Sequence, residues 1–259
     1  MPGEAATSEQ RAAKRSSTRT DRHLASALIA APLRKLSVSR RPAPRWAYRH
    51  DVDDQAALLA LIQAIVRNDR DDVLRRIAER PALAPIQVAV RASRAEASLY
   101  FLDEIHHYIY AGDTALHIAA ARHAVAIVRD VHAAGGPVDA VNRRGARPLH
   151  YAVDGNPGSA RLNPGPQRAT VACLLQLGAD PNAPDKNGTP PLHRAVRNRC
   201  SPAVEALLAG GADPHRRNAK GSTVLQLAAW TTGRGGSGSE DAKVEQEAII
   251  RLLTAAGAS

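Results

Sequence analysis

The sequence of 259 residues is poor in aromatic rings, with one Phe, two Trp and five Tyr. A surface that reads nucleic acid by stacking bases on successive rings therefore has few candidates. Cysteine is scarce too. Cys173 and Cys200 alone cannot build a disulfide framework or a four-cysteine zinc site, and such scarcity suggests a reducing compartment. No run of eighteen apolar residues occurs, because the longest apolar-looking stretches, 24–33 and 115–128, are short or broken by Ser, Pro, His and Arg. A membrane-spanning helix is thereby excluded. The stretch 24–33 lies late for a secretory signal core and runs at once into Arg34 and Lys35. The expected location is cytoplasmic, with a secreted effector as the other reading.

What the chain has is positive charge, 35 Lys plus Arg against 25 Asp plus Glu, a formal net of +10. Residues 1–50 carry eleven basic and three acidic side chains, so +8 of that charge sits in an Arg-, Ser-, Thr- and Pro-rich tail. Such a segment buries too little apolar surface to offset the entropy of ordering it, so a disordered tail is expected. Its functional reading is docking on nucleic acid or an anionic membrane, or an export address; its bland reading is a solvated extension. Residues 51–259 net only +2, in a chain that is 44% apolar and so able to build a core.

That second part is repetitive. Gly112-Asp-Thr-Ala-Leu-His117, Gly145-Ala-Arg-Pro-Leu-His150, Gly188-Thr-Pro-Pro-Leu-His193 and Gly221-Ser-Thr-Val-Leu-Gln226 begin 33, 43 and 33 residues apart. Ten residues before the later three stand Gly135-Gly-Pro-Val-Asp-Ala140, Gly178-Ala-Asp-Pro-Asn-Ala183 and Gly211-Ala-Asp-Pro-His-Arg216. Between the blocks, Val171 with Leu174-Leu175, Val204 with Leu207-Leu208 and Ile249-Ile250 with Leu252-Leu253 give one apolar helical stripe per repeat.

These residues resemble the ankyrin repeat family, whose 33-residue unit is a β-turn and two antiparallel helices. The resemblance covers 112–259 and implies an all-α ankyrin-repeat solenoid of stacked helix pairs with β-turn or hairpin tips, divided into repeats at 112–144, 145–187, 188–220 and 221–259. Thr114 and Thr223 suit the cap of a first helix, Pro148 and Pro191 its first turn, and Gly135, Gly178 and Gly211 the left-handed end of a second helix. Arg147 and Pro190 depart from the capping Thr, Gln226 from the His, and His132 from the Leu of the next repeats. Each departure costs about 0.5 to 2 kcal/mol, the range of a lost cap. Upstream, residues 51–111 read as a divergent N-terminal cap and insertion: a helix pair over 56–84, with Asp71 and Asp72 opening its second helix, an insertion at 91–100, and a strand-like lead at 105–110. Two repeats are stretched, at 156–166 and 232–239, between their helices. The last helix, with Lys243, Glu245, Glu247 and Arg251, serves as a polar C-terminal cap.

No constellation points to an enzyme, a cofactor or a metal. Gly233 to Gly238 matches G-x-G-x-x-G but lacks the strand that such a phosphate loop needs, and Ser237 fails G-x-S-x-G because Ser239 stands for the last Gly. His117, His150 and His193 would stack into a column, which the resemblance explains as histidines bonding turn backbone rather than metal ligands. Asp103, Glu104, His106 and His107 cluster without the H-E-x-x-H spacing. Cys173 reads as a core residue and Cys200 as an exposed one.

Function is then sought on the concave face, at the positions that the resemblance assigns to turn tips and first-helix ends. The tips contribute Arg143, Arg144, Lys186, Asn187, Arg217 and Lys220; the helix ends contribute Arg122, Asp154, Arg197, Arg199 and Trp230. Most are basic, and Trp and Arg dominate binding hot spots. The expectation is a monomeric, non-enzymatic module that docks an acidic segment of a protein partner on a basic stripe. The competing reading is nucleic-acid or anionic-surface binding through tail and stripe, with steep salt dependence.

Overall fold

The computed structural model describes residues 52–89, 100–155, 163–230 and 240–258. The basic tail, the insertion at 91–100 apart from Tyr100, the segment 156–162, the glycine-rich 232–239 and Ser237 lie outside the described residues. Within them the molecule is an all-α solenoid. Helices α1 (Val52–Val66) and α2 (Arg70–Glu79) form the first pair, followed by a 3-10 turn at Pro81–Leu83. Strands β1 (Phe101–Leu102) and β2 (His107–Tyr108) make a small antiparallel hairpin. Four more pairs follow: α3 (Ala115–Ala121) with α4 (Val125–Ala133), α5 (Pro148–Ala152) with α6 (Pro164–Gln176), α7 (Pro191–Arg197) with α8 (Ser201–Ala209), and α9 (Val224–Ala229) with α10 (Glu240–Ala255).

Each helix packs on its counterpart in the next pair: α1, α3, α5, α7 and α9 form one layer, and α2, α4, α6, α8 and α10 the other. The apolar stripes meet between them, with Leu58, Ile62, Ile65, Leu116, Ile127, Leu149, Leu174, Leu192, Leu207 and Leu253 at 2% exposure or less. Full burial of such a side chain stabilises by about 1.5–3 kcal/mol, and a stack can draw that only from its neighbours.

The helix boundaries follow local chemistry. Asp69 caps α2, its side chain accepting the Asp72 N–H at 3.0 Å. Pro148 and Pro191 occupy first-turn positions, where a missing N–H costs nothing. In α6 the first turn holds Pro164 and Pro166, so these residues, expected in the inserted loop, belong to the helix. The lead read as a strand at 105–110 is also different: only His107–Tyr108 of it is strand, paired back onto Phe101–Leu102. Cys200 corrects another expectation. It caps α8 with no exposure, and burial pushes its thiol up to about 12.

The turn tips share one construction. The side-chain oxygens of Asn142, Asp185 and Asn218 accept the N–H groups two and four residues on, at 2.8 to 3.1 Å. Each turn closes through a glycine at positive φ, for example Gly145 at 74° and Gly188 at 65°. The neighbouring tip leaves no space there: a Cβ on Gly145 would lie 2.5 Å from the Lys186 nitrogen, and one on Gly188 2.3 Å from the Ala219 Cβ. Backbone bonds then tie the tips together, Arg143 N–H to the Ala111 carbonyl (2.8 Å) and Lys186 N–H to that of Arg144 (3.0 Å).

Candidate interaction groove

Two rows of side chains staple repeat to repeat and shape the concave face. In the first row, His117 Nδ1 accepts the Thr114 N–H at 3.1 Å and its Nε2 lies 3.2 Å from the Ala146 carbonyl of the next repeat. His150 does the same with the Arg147 N–H (3.2 Å) and the Thr189 carbonyl (3.2 Å). These partners fix the neutral tautomer with hydrogen on Nε2. Burial opposes protonation, pulling His150 down to about 4 with help from Arg194, and lowering His117 as well. In the last repeat Gln226 takes the histidine's place, its Oε1 accepting the Thr223 N–H at 3.0 Å.

The second row starts at the left-handed residues between helices. His123 (φ 56°) and Arg199 (φ 58°) occupy equivalent positions. His123 Nε2 lies 3.0 Å from the Ala152 carbonyl, and Arg199 Nη1 donates to the Ala228 carbonyl at 2.9 Å while Nη2 donates to that of Trp230. Arg199, expected as a free cation on the binding face, is 2% exposed and structural. The guanidinium fork closes two carbonyls at once, where the imidazole of His123 reaches one.

A groove of about 1000 Å³ runs along the concave side. Of the residues anticipated there, Arg122, Arg144, Asp154, Asn187, Arg197, Lys220 and Trp230 line it, and Arg199 reaches its edge. Arg143, Lys186 and Arg217 do not. Tip position explains the split: the residue before each turn glycine (Arg144, Asn187, Lys220) faces the groove, while the one before that (Arg143, Lys186) lies outside its lining. Arg122 Nε donates to the Val66 carbonyl at 3.0 Å. Arg143 and Arg144 flank the Tyr110 ring at 5.4 and 4.9 Å, and Arg144 Nη1 donates to its hydroxyl at 2.9 Å. Trp230 is 54% exposed at the far end.

The floor centres on Asp154. Arg194 Nε and Nη2 donate to its two oxygens at 2.7 and 2.5 Å, Asn198 Nδ2 donates at 2.9 Å, and His107 Nε2 lies 3.2 Å away. Burial alone would raise Asp154, but Arg194 and these hydrogen bonds hold its carboxyl well below the usual carboxylate range. Beneath it, Tyr151 donates to Asp113, which also accepts from Asn142 Nδ2 (2.8 Å) and the Tyr110 N–H (2.7 Å). Arg194 was not anticipated. Its signal was present: it stands six residues after a turn glycine, where the other repeats have Ile118, Tyr151 and Leu227. A charge at an apolar repeat position marks a buried partner.

The groove lining holds more cationic than anionic side chains. Arg122, Arg144, Arg194, Arg197, Arg199 and Lys220 face Glu104, Asp154 and Asp185, and Asp154 is already engaged by Arg194. Arg122 and Arg199 bond carbonyls, which leave their charge uncompensated. Among the described residues, no three His, Cys, Asp or Glu side chains converge as a metal site, and no helix is long and apolar enough to cross a membrane.

Comparison with known proteins adds the family. A model of the ankyrin repeat matches residues 144–186, and one of ankyrin repeats in many copies matches 174–228. The chain is similar to protein fem-1 homolog A-A of Mus musculus, 38% identical over 88 residues, which are 33% of this chain and 14% of that protein. It is similar to the ankyrin repeat and SOCS box protein 16 of Mus musculus, 36% identical over 117 residues, 44% of this chain and 25% of that protein. A match to the 2-5A-dependent ribonuclease of Mus musculus, 48% identical, spans 59 residues and 8% of that protein. The chain thus covers a small part of each relative's length.

Proposed function

Because the chain is an ankyrin repeat protein, and such repeats are protein-interaction modules, we propose that it binds an acidic segment of a protein partner along its concave groove. The observation that carries this reading is the excess of cations over carboxylates in the groove lining. An acidic segment would meet Arg144, Arg197 and Lys220 along one side and the exposed Trp230 at the end. Trp and Arg supply most of the energy in interfaces of this kind. The module performs no chemistry of its own in this reading.

A second reading is favoured by Arg143, Lys186, Arg216 and Arg217, exposed on or beside the tips outside the groove lining. With the basic tail they would contact phosphates of a nucleic acid, and affinity would then fall steeply with salt.

Selection of displayed random peptides on the full chain tests the first reading. It predicts enrichment of Asp and Glu, and loss of the enrichment in an Arg144→Glu, Arg197→Glu, Lys220→Glu triple variant. Selection without acidic bias, or unchanged in the variant, contradicts it.

A further inference from the structure

The groove lining changes character along its length. At the hairpin end stand Ile105, Tyr108 and Tyr110, at the α9 end Leu227 and Trp230, and between them the cations, with no aliphatic side chain larger than alanine. Aromatic rings are scarce in this chain, and those that reach solvent gather at these two ends. Of the six among the described residues, Tyr100 and Tyr151 are buried. Tyr108 is 40% exposed, Tyr110 half-buried and Trp230 54% exposed, and all three are in the lining. Phe101 packs on Tyr108, their ring centres 4.8 Å apart.

Both ends are held in place before anything binds. The Tyr110 ring centre lies 6.4 Å from that of Tyr108 and is flanked by Arg143 and Arg144. At the other end the Trp230 N–H donates to the Leu227 carbonyl at 3.3 Å, and the Trp230 carbonyl accepts from Arg199. A site formed in advance costs less to order on binding. Charge alone, by contrast, holds a segment weakly here. An ion pair in water gains little, and Arg122, Arg194 and Arg199 already donate to groups of this chain. Cations that recur from repeat to repeat also fix no register, so a purely acidic segment slides along them. Large apolar side chains at the ends supply what charge lacks, because they leave water on docking and fit only where the rings stand.

We propose that the acidic partner segment carries a large apolar or aromatic side chain at each end, one seated on Tyr108 and Tyr110 and the other on Trp230, with its carboxylates between them. This rests on the groove reading above and adds length and register to it. Tyr110 leads into α3, and the hairpin reaches α5 through His107, whose ring centre lies 4.2 Å from that of Tyr151. Trp230 ends α9, two to three helix spacings further on. At about 8–10 Å per spacing the two seats lie about 16–30 Å apart. An extended chain rises about 3.3 Å per residue, so the two anchors are about five to nine residues apart.

Binding of two peptides to the full chain tests this. Each has about eight residues with blocked ends, and both share one composition of Phe, Asp and Ser: the first has a Phe at each end, a span of about 23 Å, and the second has both Phe at one end. The first should bind about tenfold more tightly, and the ratio should persist at about 0.5 M salt, where exposed charge pairs are screened. Measured with peptides lacking either Phe, Trp230→Ala should cancel the gain from one of them and Tyr108→Ala the gain from the other. Tyr108→Phe keeps the ring and should keep the affinity. Equal affinity for the two peptides, or a preference that both Ala variants leave untouched, overturns the proposal. The groove reading is judged separately, by whether replacing Asp with Ser weakens binding; if neither peptide binds, it fails and the anchors fail with it.

Discussion

His193 Nδ1 has no hydrogen-bond partner among the described residues, and the residue that should supply one is Pro190, which has no N–H. The equivalent nitrogens of His117 and His150 accept from Thr114 and Arg147. The third full repeat is thus stacked with one buried acceptor unmet, although His193 Nε2 still reaches the Ser222 carbonyl at 3.1 Å. Pro190→Thr restores the missing donor and should stabilise the chain by about 1 kcal/mol, the usual worth of a cap. In urea this appears as a higher midpoint with an unchanged slope.

The buried histidines make stability depend on pH in a definite direction. Burial, then Arg194, lowers His150 from 6.5 in the unfolded chain to about 4 in the folded one. Below the unfolded value the unfolded chain binds the proton first, so this contribution is complete above pH 6.5 and is lost as pH falls toward about 4. The whole loss is about 3 kcal/mol. His117 and His193, also lowered by burial, act in the same sense. His150→Gln, the solution that Gln226 already uses, should flatten the dependence measured by urea unfolding between pH 7 and pH 4.5, values of roughly that window.

Arg199 and Arg197 are two residues apart and should respond to substitution in opposite ways. Arg199→Asn tolerates the left-handed backbone but removes the donor to the Trp230 carbonyl and leaves that of Ala228 with Gln246 Nε2 alone, at a cost of about 1–3 kcal/mol with faster amide exchange in α9. Arg197, exposed in the groove lining, should lower affinity for an acidic peptide when reversed to Glu, with a smaller change of unfolding midpoint than Arg199→Asn.

Asp154 lines the groove and is also the partner that Arg194 in its floor requires. Asp154→Ala leaves Arg194 as a largely buried, unpaired cation and should destabilise by about 3 kcal/mol or more. The double variant Asp154→Ala, Arg194→Met should recover most of that, because it removes the charge that was left without a partner. Equal denaturation midpoints for the single and double variants would show that the pair carries no such coupling.

The repeat frame was legible because its chemistry is local. A turn glycine, a capping Thr or Pro and a left-handed glycine at a helix end each act within four residues, and a period of 33 or 43 residues displays them side by side. The groove was legible only in outline. Lys220 and Asn187 could be placed from tip position, but Arg143 and Lys186 could not be separated from Arg144 without the Asx turns that aim alternate residues. The floor joins His107, Asp154 and Arg194 across 47 and 40 residues, a distance over which no periodicity speaks. Arg199 looked like a surface cation because nothing in its neighbours shows that it stands in phase with His123.

The groove as a binding surface is tested most directly by an NMR footprint of a selected acidic peptide on the full chain. The reading predicts that shifts concentrate on Arg144, Asn187, Arg197, Lys220 and the Trp230 indole, and disappear with Lys220→Glu and Arg197→Glu. Shifts confined to Arg143, Lys186 and Arg217, or none on the groove at saturating peptide, would contradict it.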